Sequence, residues 1–343
     1  MSPDPVAALE RVVYLLDRSL APAPKVKAFA RAADIVRGLA PEELAELHST
    51  HRLTELPGIG DATGGVIADT LDGHESPYLA RLEAETAVPA GEGAAIRSAL
   101  RGDCHTHSEW SDGGASIEAM ARTAIALGHE YLVLTDHSPR LTIAHGLSPE
   151  RLANQLVEVA RLNRELSPFR ILTGMEVDIL DDGTLDLADE LLASLDVVVA
   201  SVHRKLSMPA PEMTKRMVLA VASPHVDILG HCTGRKVVGP GGKGRPQSRF
   251  DADIVFAACA RFDNAVEINC RPERQDPPDE LLALALEWDC KISIDTDAHA
   301  PGQLEWQPYG CDKAARHGVE PEDIVNTWAA DDLIAWAGAH PTA

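Results

Sequence analysis

Nine histidines, aspartates and glutamates recur close behind segments that are typical of β-strands. His105 and His107 form a His-x-His pair, and Asp297 and His299 form a second pair with the same spacing. Alternate residues of an extended strand point to the same face, so both members of a pair can reach one ion. Imidazoles and carboxylates are common protein ligands of divalent metals. The full set of predicted ligands is His105, His107, Asp112, His137, Glu176, His203, His231, Asp297 and His299.

Nine ligands are more than one tetrahedral metal ion can use. A single histidine behind a strand is more often a hydrogen-bonded surface residue, but the joint occurrence of six at strand ends argues against that reading. The set therefore predicts two or three divalent ions with a carboxylate between them. Zinc, manganese and iron all suit mixed imidazole and carboxylate ligands.

The elements that must position these residues begin near residue 101. From there, short β-rich runs alternate with amphipathic stretches such as 116–127, 150–166 and 279–288, which is typical of βα units and a parallel sheet. Seven such repeats favour a barrel, in which all strand carboxyl ends open on one face. The predicted strands lie near 103–104 and over 131–135, 170–173, 196–200, 226–229, 265–268 and 291–294.

Residues 1–88 follow a different pattern. Apolar residues recur at helical spacing over 6–20 and 26–39, and Pro41 is placed to begin a third helix. The turn Leu56-Pro-Gly-Ile-Gly60 then leads into a further helix. Backbone N–H groups at such a turn can bind an anion. This region is predicted to be a small helical domain.

Composition restricts the class of protein. The chain has 343 residues, 45% of them hydrophobic, without a run of eighteen apolar residues, so a membrane span is not expected. Six scattered cysteines and the lack of a secretory signal predict a cytoplasmic protein with reduced thiols. The net charge of −22 opposes nucleic acid at long range. The sequence leaves the oligomeric state open.

The chemistry-bearing segments resemble the PHP (polymerase and histidinol phosphatase) family of metal-dependent phosphoesterases over about residues 101–320. The likeness is strongest to the carboxyl-terminal PHP domain of bacterial family X DNA polymerases, to which 227–235, 267–269 and Arg274 are similar. The motifs that carry it are Asp103-Cys-His-Thr-His-Ser, Ser111-Asp-Gly113, Thr135-Asp-His-Ser138, Gly174-Met-Glu-Val-Asp178, Ala200-Ser-Val-His203, Gly230-His231 and Thr296-Asp-Ala-His299.

The resemblance implies an α/β fold, a distorted (β/α)7 barrel preceded by a small all-α helix-hairpin-helix domain, with a trinuclear site. It implies three divalent metal ions. The first would be held by His105, His107, Glu176 and Asp297; the second by Glu176, His203 and His231; the third by Asp112, His137 and His299.

The resemblance also implies a domain order: a helical domain over 1–88 with a helix-hairpin-helix at 56–67, a linker over 89–100 and the PHP barrel over 101–343. The polymerase palm and fingers would lie between the two domains, where this chain has only the linker, so no polymerase activity is expected. The hairpin helix Asp61-Ala-Thr-Gly-Gly-Val-Ile-Ala-Asp69 lacks the lysines that serve as lyase nucleophile in that family. Lyase chemistry is therefore not expected, and DNA binding by this domain stays open.

The predicted function is phosphoester hydrolysis by a metal-activated hydroxide, with Glu176, Asp297 and His231 as catalytic residues. Arginine forks match phosphate oxygens, so Arg204, Lys205, Arg235 and Arg274, each next to a ligand motif or strand end, are candidate phosphate-binding residues. DNA 3′ ends are the favoured substrate, through exonuclease or 3′ phosphatase activity. A small metabolite such as histidinol phosphate or a nucleotide is the alternative, and a non-catalytic DNA-repair module is the third reading.

Overall fold

The computed structural model describes residues 4–88, 91–238 and 243–341. Their contacts divide the chain into two compact units. The first unit runs up to Val88 and also takes in Pro301–Gln303, and the second unit comprises the other described residues.

The first unit is helical. Asp4 caps the first helix by accepting hydrogen bonds from the N–H groups of Val6 and Ala7. Leu9, Val12 and Leu16 lie on one stripe of this helix and are fully buried in the core of the unit. The five helices are α1 (Pro5–Arg18), α2 (Ala23–Arg37), α3 (Pro41–Ser49), α4 (Asp61–Leu71) and α5 (Pro77–Thr86).

The turn before α4 depends on glycine. Gly58 has a φ of 104°, and a Cβ atom there would lie 2.8 Å from the side chain of Ile35. Gly60 is the N-cap residue of α4, and its N–H donates to the Thr63 hydroxyl over 2.9 Å. The tight turn and following helix occur where the sequence predicts them. The assignment of this segment as a helix-hairpin-helix stays a prediction.

The second unit contains a seven-stranded parallel sheet in which each strand pairs with the next one in sequence. This order, with helices between the strands, confirms the predicted (β/α)7 barrel. The strands are β1 (Gly102–Thr106), β2 (Tyr131–Leu134), β3 (Arg170–Asp178), β4 (Val197–Ser201), β5 (Ile228–Leu229), β6 (Ala265–Asn269) and β7 (Lys291–Asp295). The helices are α6 (Ala94–Ala99), α7 (Ile117–Ala126), α8 (Pro149–Glu165), α9 (Asp189–Leu192), α10 (Ala210–Val221), α11 (Ala252–Phe262), α12 (Asp279–Glu287), α13 (Gln307–Arg316) and α14 (Ala330–Ala337).

The strands are buried on both faces, because helices cover the outside of the barrel. On β2, Leu132 packs with α7 and α8 residues, while the neighbouring Val133 lies in a cluster with Leu172 and Val199. Ser116 and Ser148 cap α7 and α8 by accepting from backbone N–H groups, which fixes where each helix starts. Among the described helices, the longest has 17 residues, and none combines the length and hydropathy needed to cross a bilayer.

Three segments differ from the sequence-based expectation. β3 is longer than predicted and continues to Asp178, so Glu176 lies inside the strand rather than after it; His105 likewise lies inside β1. The pairing of Glu176 with Val199 extends the ladder past the predicted end. The predicted linker also contains α6, which is held in the second unit by the buried Ile96 and by a 2.8 Å hydrogen bond from Gly93 N–H to Asp312.

Between β1 and β7, which form no strand ladder, the side chain of Asn326 links the two strands. Asn326, which is fully buried, accepts a 2.7 Å hydrogen bond from the N–H of Ile294 on β7 and donates to Asp295 at 2.8 Å. The same amide lies 3.4 Å from the carbonyl oxygen of Gly102 on β1. Its two polar ends therefore satisfy backbone groups that a paired strand would otherwise satisfy.

We expect Asn326→Ala to destabilise the second unit by about 2 to 4 kcal/mol, because it leaves buried backbone and carboxylate groups without partners. Urea unfolding followed by circular dichroism measures this change. Asn154→Ala, at an exposed position of α8, is the matched control and should change the free energy of unfolding by less than about 0.5 kcal/mol. Equal stability of the two variants would contradict the role given to Asn326.

Candidate metal centre

The nine predicted ligands all come together at the carboxyl ends of the barrel strands. β1 and the loop after it supply His105, His107 and Asp112, β3 supplies Glu176, and the loops after β2, β4, β5 and β7 supply the other five, as in parallel barrels generally. The group is mostly buried: His105 and His107 are fully enclosed, while Asp112 and His299 stand at the outer edge. Residues more than 190 positions apart in the chain thus share one small volume.

Glu176 lies at the centre of the cluster. Its Oε2 atom is 3.3 Å from His105 Nε2, 3.5 Å from His107 Nε2 and 2.9 Å from His137 Nδ1. Its Oε1 atom is 3.1 Å from His203 Nε2 and 2.9 Å from His231 Nε2. One carboxylate that is only 1% exposed therefore has five imidazoles around it.

Asp112 occupies the outer side of the cluster. Its Oδ1 atom is 3.4 Å from the Nε2 atoms of both His137 and His299. The ring of His107 lies between these histidines, with its centroid 4.2 Å from that of His299 and 4.5 Å from that of His137. His107 and His137 therefore connect the inner and outer sides.

Asp297 closes the remaining side. Its Oδ1 atom is 3.4 Å from His107 Nε2, and its Oδ2 atom is 3.2 Å from Arg274 Nε. The residue has a φ of 51°, a left-handed conformation that is uncommon for aspartate and costs of order 1 kcal/mol. The backbone after β7 is bent so that the carboxylate points into the cluster.

Many buried polar atoms of the cluster lack a protein hydrogen-bond partner. They include both carboxylate oxygens of Glu176, both ring nitrogens of His107 and of His231, and Nε2 of His105. The distances between them are in the range of ion pairs, but the geometry is not that of hydrogen bonds. An unpaired buried polar group costs about 1 to 3 kcal/mol, so this concentration at one place fits a bound cation.

Three overlapping sets of side chains have donor atoms close enough to share one ion: His107, Asp112, His137 and His299; His105, His107 and Glu176; and His137, Glu176 and His203. These sets follow the grouping implied by the family resemblance in outline. They differ because His107 and His137 each take part in two sets, and because His231 and Asp297 belong to none of the three. The exact assignment of ligands to ions stays a prediction.

The side chains of the cluster differ in the direction in which their pKa values are shifted. Burial alone would raise the pKa of Glu176, but the surrounding His203, His105 and His137 hold it well below its usual range. Burial lowers the pKa of His107 to about 3, helped by His299 and His137, and burial with Arg274 lowers that of His231 to about 3. The carboxylate is thus ionised and both of these imidazoles are neutral, which are the protonation states that metal binding requires.

Two residues of β6 hold predicted ligands in place without belonging to the predicted set. Glu267 accepts a 2.6 Å hydrogen bond from His105 Nδ1 and a 2.5 Å hydrogen bond from the N–H of His231. Asn269 donates to both Glu267 and Asp297, over 3.2 and 3.1 Å. A carboxylate on Nδ1 fixes the tautomer that leaves Nε2 free to bind a metal. The sequence signal was present: two polar residues alternate in an otherwise apolar strand.

Buried carboxylates also anchor the loops that carry the ligands. Asp136 accepts hydrogen bonds from Ser108 at 2.6 Å and Gln155 at 2.6 Å, which ties the loop after β1 to α8. Asp103 accepts from the hydroxyl of Thr296 at 2.6 Å. These contacts hold the chain on either side of His107, His137 and Asp297.

The four predicted phosphate-binding residues lie in three settings. Arg274 reaches the cluster at Asp297, and its Nε and Nη1 atoms have no hydrogen-bond partner. Arg235 instead donates to the backbone carbonyls of Arg274 and Gln275. Arg204 and Lys205 line a separate cavity of about 560 Å³ beside His203, where Lys205 pairs with Asp181 at 2.5 Å.

Arg271, which sequence reasoning did not single out, also contacts the cluster. Its Nη1 atom donates to the carbonyl oxygen of Asp297 at 2.7 Å and lies 2.9 Å from His299 Nδ1. Its Nε atom donates to Glu273 at 2.8 Å, and its guanidinium lies over the ring of Trp306. The side chain is therefore fixed on three sides at the edge of the cluster.

Comparison with known proteins agrees with this site. The family model of the PHP domain matches residues 103–233. The chain is 39% identical over 237 residues to the DNA polymerase/3′-5′ exonuclease PolX of Bacillus subtilis, a match that covers 69% of this chain and 41% of that protein. It is 31% identical over 236 residues to a probable phosphatase of Thermoanaerobacter sp. (strain X514), covering 66% of this chain and 89% of the relative.

One solved structure resembles this chain in its backbone, with low sequence identity. The histidinol phosphate phosphatase of Lactococcus lactis, complexed with zinc, L-histidinol and phosphate, aligns with a TM-score of 0.44 and 18% identity over 63% of this chain and 94% of that one.

The site and the sequence matches define the class of protein: the chain is a phosphoester hydrolase with a metal-binding cluster of histidines, glutamate and aspartates. It belongs to the PHP domain family.

Metal binding should become stronger as the pH rises from 6 to 8. Burial by itself lowers the pKa of His137, but Glu176 and Asp112 outweigh it and raise the pKa to about 10, so this ring carries a proton at neutral pH. A metal binds only the deprotonated ring, so each released proton should increase the apparent affinity up to about tenfold per pH unit. Calorimetric titration of metal-stripped protein with Mn²⁺, in buffers of different ionisation enthalpy, measures the proton release.

The control for this titration is His145→Ala, which removes an exposed histidine outside the cluster and should behave as the wild type. Affinity and heat that stay constant across pH and buffers would contradict the protonated state of His137.

Proposed function

We propose that the enzyme hydrolyses phosphoesters at DNA 3′ ends, as a 3′-5′ exonuclease or a 3′ phosphatase. The observation that supports hydrolysis at this place is the cluster itself, in which five imidazoles face one buried carboxylate whose oxygens lack hydrogen bonds. The likeness to an exonuclease named for its action on 3′ ends supports the choice of DNA. That relative is more than twice as long as the matched segment, so the substrate is a proposal.

In the proposed mechanism, the nine predicted ligands would hold three divalent ions. When bound, these ions would supply a nucleophilic hydroxide at neutral pH and neutralise the non-bridging phosphate oxygens. Glu176, at the centre, would bridge ions, and Asp297 and His231 would hold them on the side that faces Arg274. Zinc, manganese and iron each suit this ligand set.

The chain's own groups prepare the site for the phosphate. Arg274 is paired through Nε with Asp297, and its Nη1 group, which lacks a hydrogen-bond partner, can donate to a phosphate oxygen. Glu267 keeps His105 in one orientation through its Nδ1 hydrogen bond. Because His105 and Glu267 are both fully buried, bulk water is excluded from the hydrogen bond between them, and this strengthens it.

The second candidate function is hydrolysis of a small phosphate ester such as histidinol phosphate or a nucleotide. The likeness to a relative named a probable phosphatase, 89% of whose length is covered, favours it. The net charge of −22 is also easier to reconcile with a small substrate than with DNA.

A substrate panel on the full chain with Mn²⁺ separates the two candidates. We expect release of p-nitrophenol from its phosphate ester and shortening, or 3′ dephosphorylation, of 5′-labelled single-stranded DNA. His107→Ala should lower both activities by at least 100-fold, because it removes a ring shared by two of the three donor sets. The His145→Ala control should retain them. If the enzyme hydrolyses histidinol phosphate or mononucleotides and does not act on DNA, the proposed action on DNA 3′ ends is wrong and hydrolysis of a small phosphate ester is supported.

Arg274→Ala should reduce kcat/KM for p-nitrophenyl phosphate by about 10- to 100-fold, mainly through KM. The expected size corresponds to loss of a charge-assisted hydrogen bond of about 1.5 to 3 kcal/mol. Steady-state kinetics at fixed Mn²⁺ measures it, and Arg122→Ala on the exposed face of α7 is the matched control. An unchanged kcat/KM in Arg274→Ala would remove this residue from the phosphate site.

A further inference from the structure

The loop that follows β5 is strongly basic, although the whole chain has 53 acidic and only 31 basic residues. Over 235–249 the sequence contains five basic residues and no acidic one. We call residues 235–238 and 243–249 the basic ribbon. Its charged members are Arg235, Lys236, Lys243, Arg245 and Arg249.

The two described arms of the basic ribbon are held together by backbone pairing. Lys236 N–H donates to the carbonyl oxygen of Arg245 over 2.9 Å, and Arg245 N–H donates to that of Lys236 over 2.7 Å. Residues that exchange both hydrogen bonds in an antiparallel pair place their side chains on the same face. Gly244 permits the close approach, because a Cβ atom there would lie 2.7 Å from the Lys236 carbonyl oxygen.

The basic ribbon is attached to the loop that approaches the metal cluster. Val237 N–H donates to the carbonyl oxygen of Glu273 over 2.7 Å, and Arg235 Nε donates to that of Arg274 over 3.1 Å. Arg274 in turn lies 3.2 Å from Asp297. Basic residues therefore line the path from the edge of the cluster along this loop to the surface, with Glu273 paired to Arg271 among them.

The charge of the basic ribbon is offset only in part, by Glu273 near Lys236 and by Asp276 near Arg245. In the described parts of the chain, none of its five basic side chains forms an ion pair; Arg245 Nε donates to the carbonyl oxygen of Gly234 instead. Burial and the nearby Arg274 and Arg271 lower the pKa of Lys236, which shows that like charges are held close to one another. Such an arrangement is unfavourable in the free protein and becomes favourable when a polyanion binds.

We propose that the basic ribbon binds the phosphates of a single nucleic-acid strand next to the phosphate at the metal cluster. This inference rests on the proposed phosphoesterase function. It adds a binding site for the part of a long substrate that lies outside the metal cluster. A strand with several phosphates matches an extended row of cations, whereas a substrate with one phosphate does not reach it. The exposed Val237 and Val238 supply apolar surface beside the charges for sugars or bases.

The location also explains how a protein with a net charge of −22 can bind DNA. At about 0.1 M salt the field of the whole chain is largely screened beyond a Debye length of about 10 Å, so the nearby cations of the basic ribbon dominate once a strand has approached. Binding through such a patch releases counterions and is therefore steeply salt-dependent.

The test is binding of a 5′-fluorescein-labelled single-stranded DNA to metal-stripped full-length protein, followed by anisotropy as a function of salt. Lys236→Ala/Lys243→Ala/Arg249→Ala should weaken binding at least tenfold and reduce the slope of log Kd against log salt by up to about 2, as expected for three lost phosphate contacts. The control variant Arg122→Ala/Lys215→Ala/Arg261→Ala removes three exposed charges from α7, α10 and α11 and should keep the wild-type slope.

Kinetics separate failure of this inference from failure of the proposed function. With Mn²⁺ present, the ratio of kcat/KM for the oligonucleotide to that for p-nitrophenyl phosphate should fall at least tenfold in the ribbon variant and stay constant in the control. Absence of turnover in the wild type would contradict the proposed function but leave the binding test valid. Equal losses in both triple variants, or an unchanged salt slope in the ribbon variant, would each overturn the inference.

If the triple variant unfolds, the single variant Lys243→Glu replaces it, since this side chain is exposed and makes no hydrogen bond in the described part of the chain. Charge reversal should weaken DNA binding about as much as loss of two contacts, and unchanged binding would overturn the inference.

Discussion

The whole active face depends on one buried carboxylate that is surrounded by imidazoles. Glu176 is 1% exposed, and an isolated carboxylate at such a position would be protonated. It stays ionised because His105, His137 and His203 are held around it. Each of these groups comes from a different strand or loop, so the barrel is what holds them together. Without it, the positively charged imidazoles would repel one another and the unpaired polar groups would move into water.

A second set of buried polar residues holds the predicted ligands in position by hydrogen bonds. β6 supplies none of the nine residues, but Glu267 and Asn269 on this strand hold His105, His231 and Asp297 from behind. Asp103 and Asp136 do the same for the loops after β1 and β7. The positions of the predicted ligands therefore depend on the buried side chains of Glu267, Asn269, Asp103 and Asp136, which lie behind the ligands.

Charge is distributed unevenly over the mouth of the barrel. On the side of β3 and β4, Lys205 is neutralised by Asp181. On the side of β5 and β6, Arg274 is paired with Asp297, and the basic side chains of the ribbon form no ion pair in the described parts of the chain. This is the side on which we propose that the phosphates of a strand bind.

The amino-acid sequence by itself determined the barrel and the membership of the cluster. Polar residues of metal-binding type stand at or near the ends of the predicted strands, and in a parallel barrel strand ends must converge, so the nine residues could be identified without coordinates. Periodicity also predicted α7, α8 and α12 to within one or two residues. The inclusion of Glu176 within β3 was missed, because strand ends depend on pairing with β4 rather than on local composition.

Only the tertiary structure decided how those residues are arranged. The sharing of His107 and His137 between donor sets follows from ring positions, which no spacing rule contains. The same holds for the seam amide of Asn326, more than 220 residues from Gly102, and for Arg271, whose contacts with Asp297 and His299 depend on the packing of two loops. Hydrogen bonds and ion pairs act over a few ångströms in space, and distance along the chain fixes such proximity only within a single helix, strand or turn.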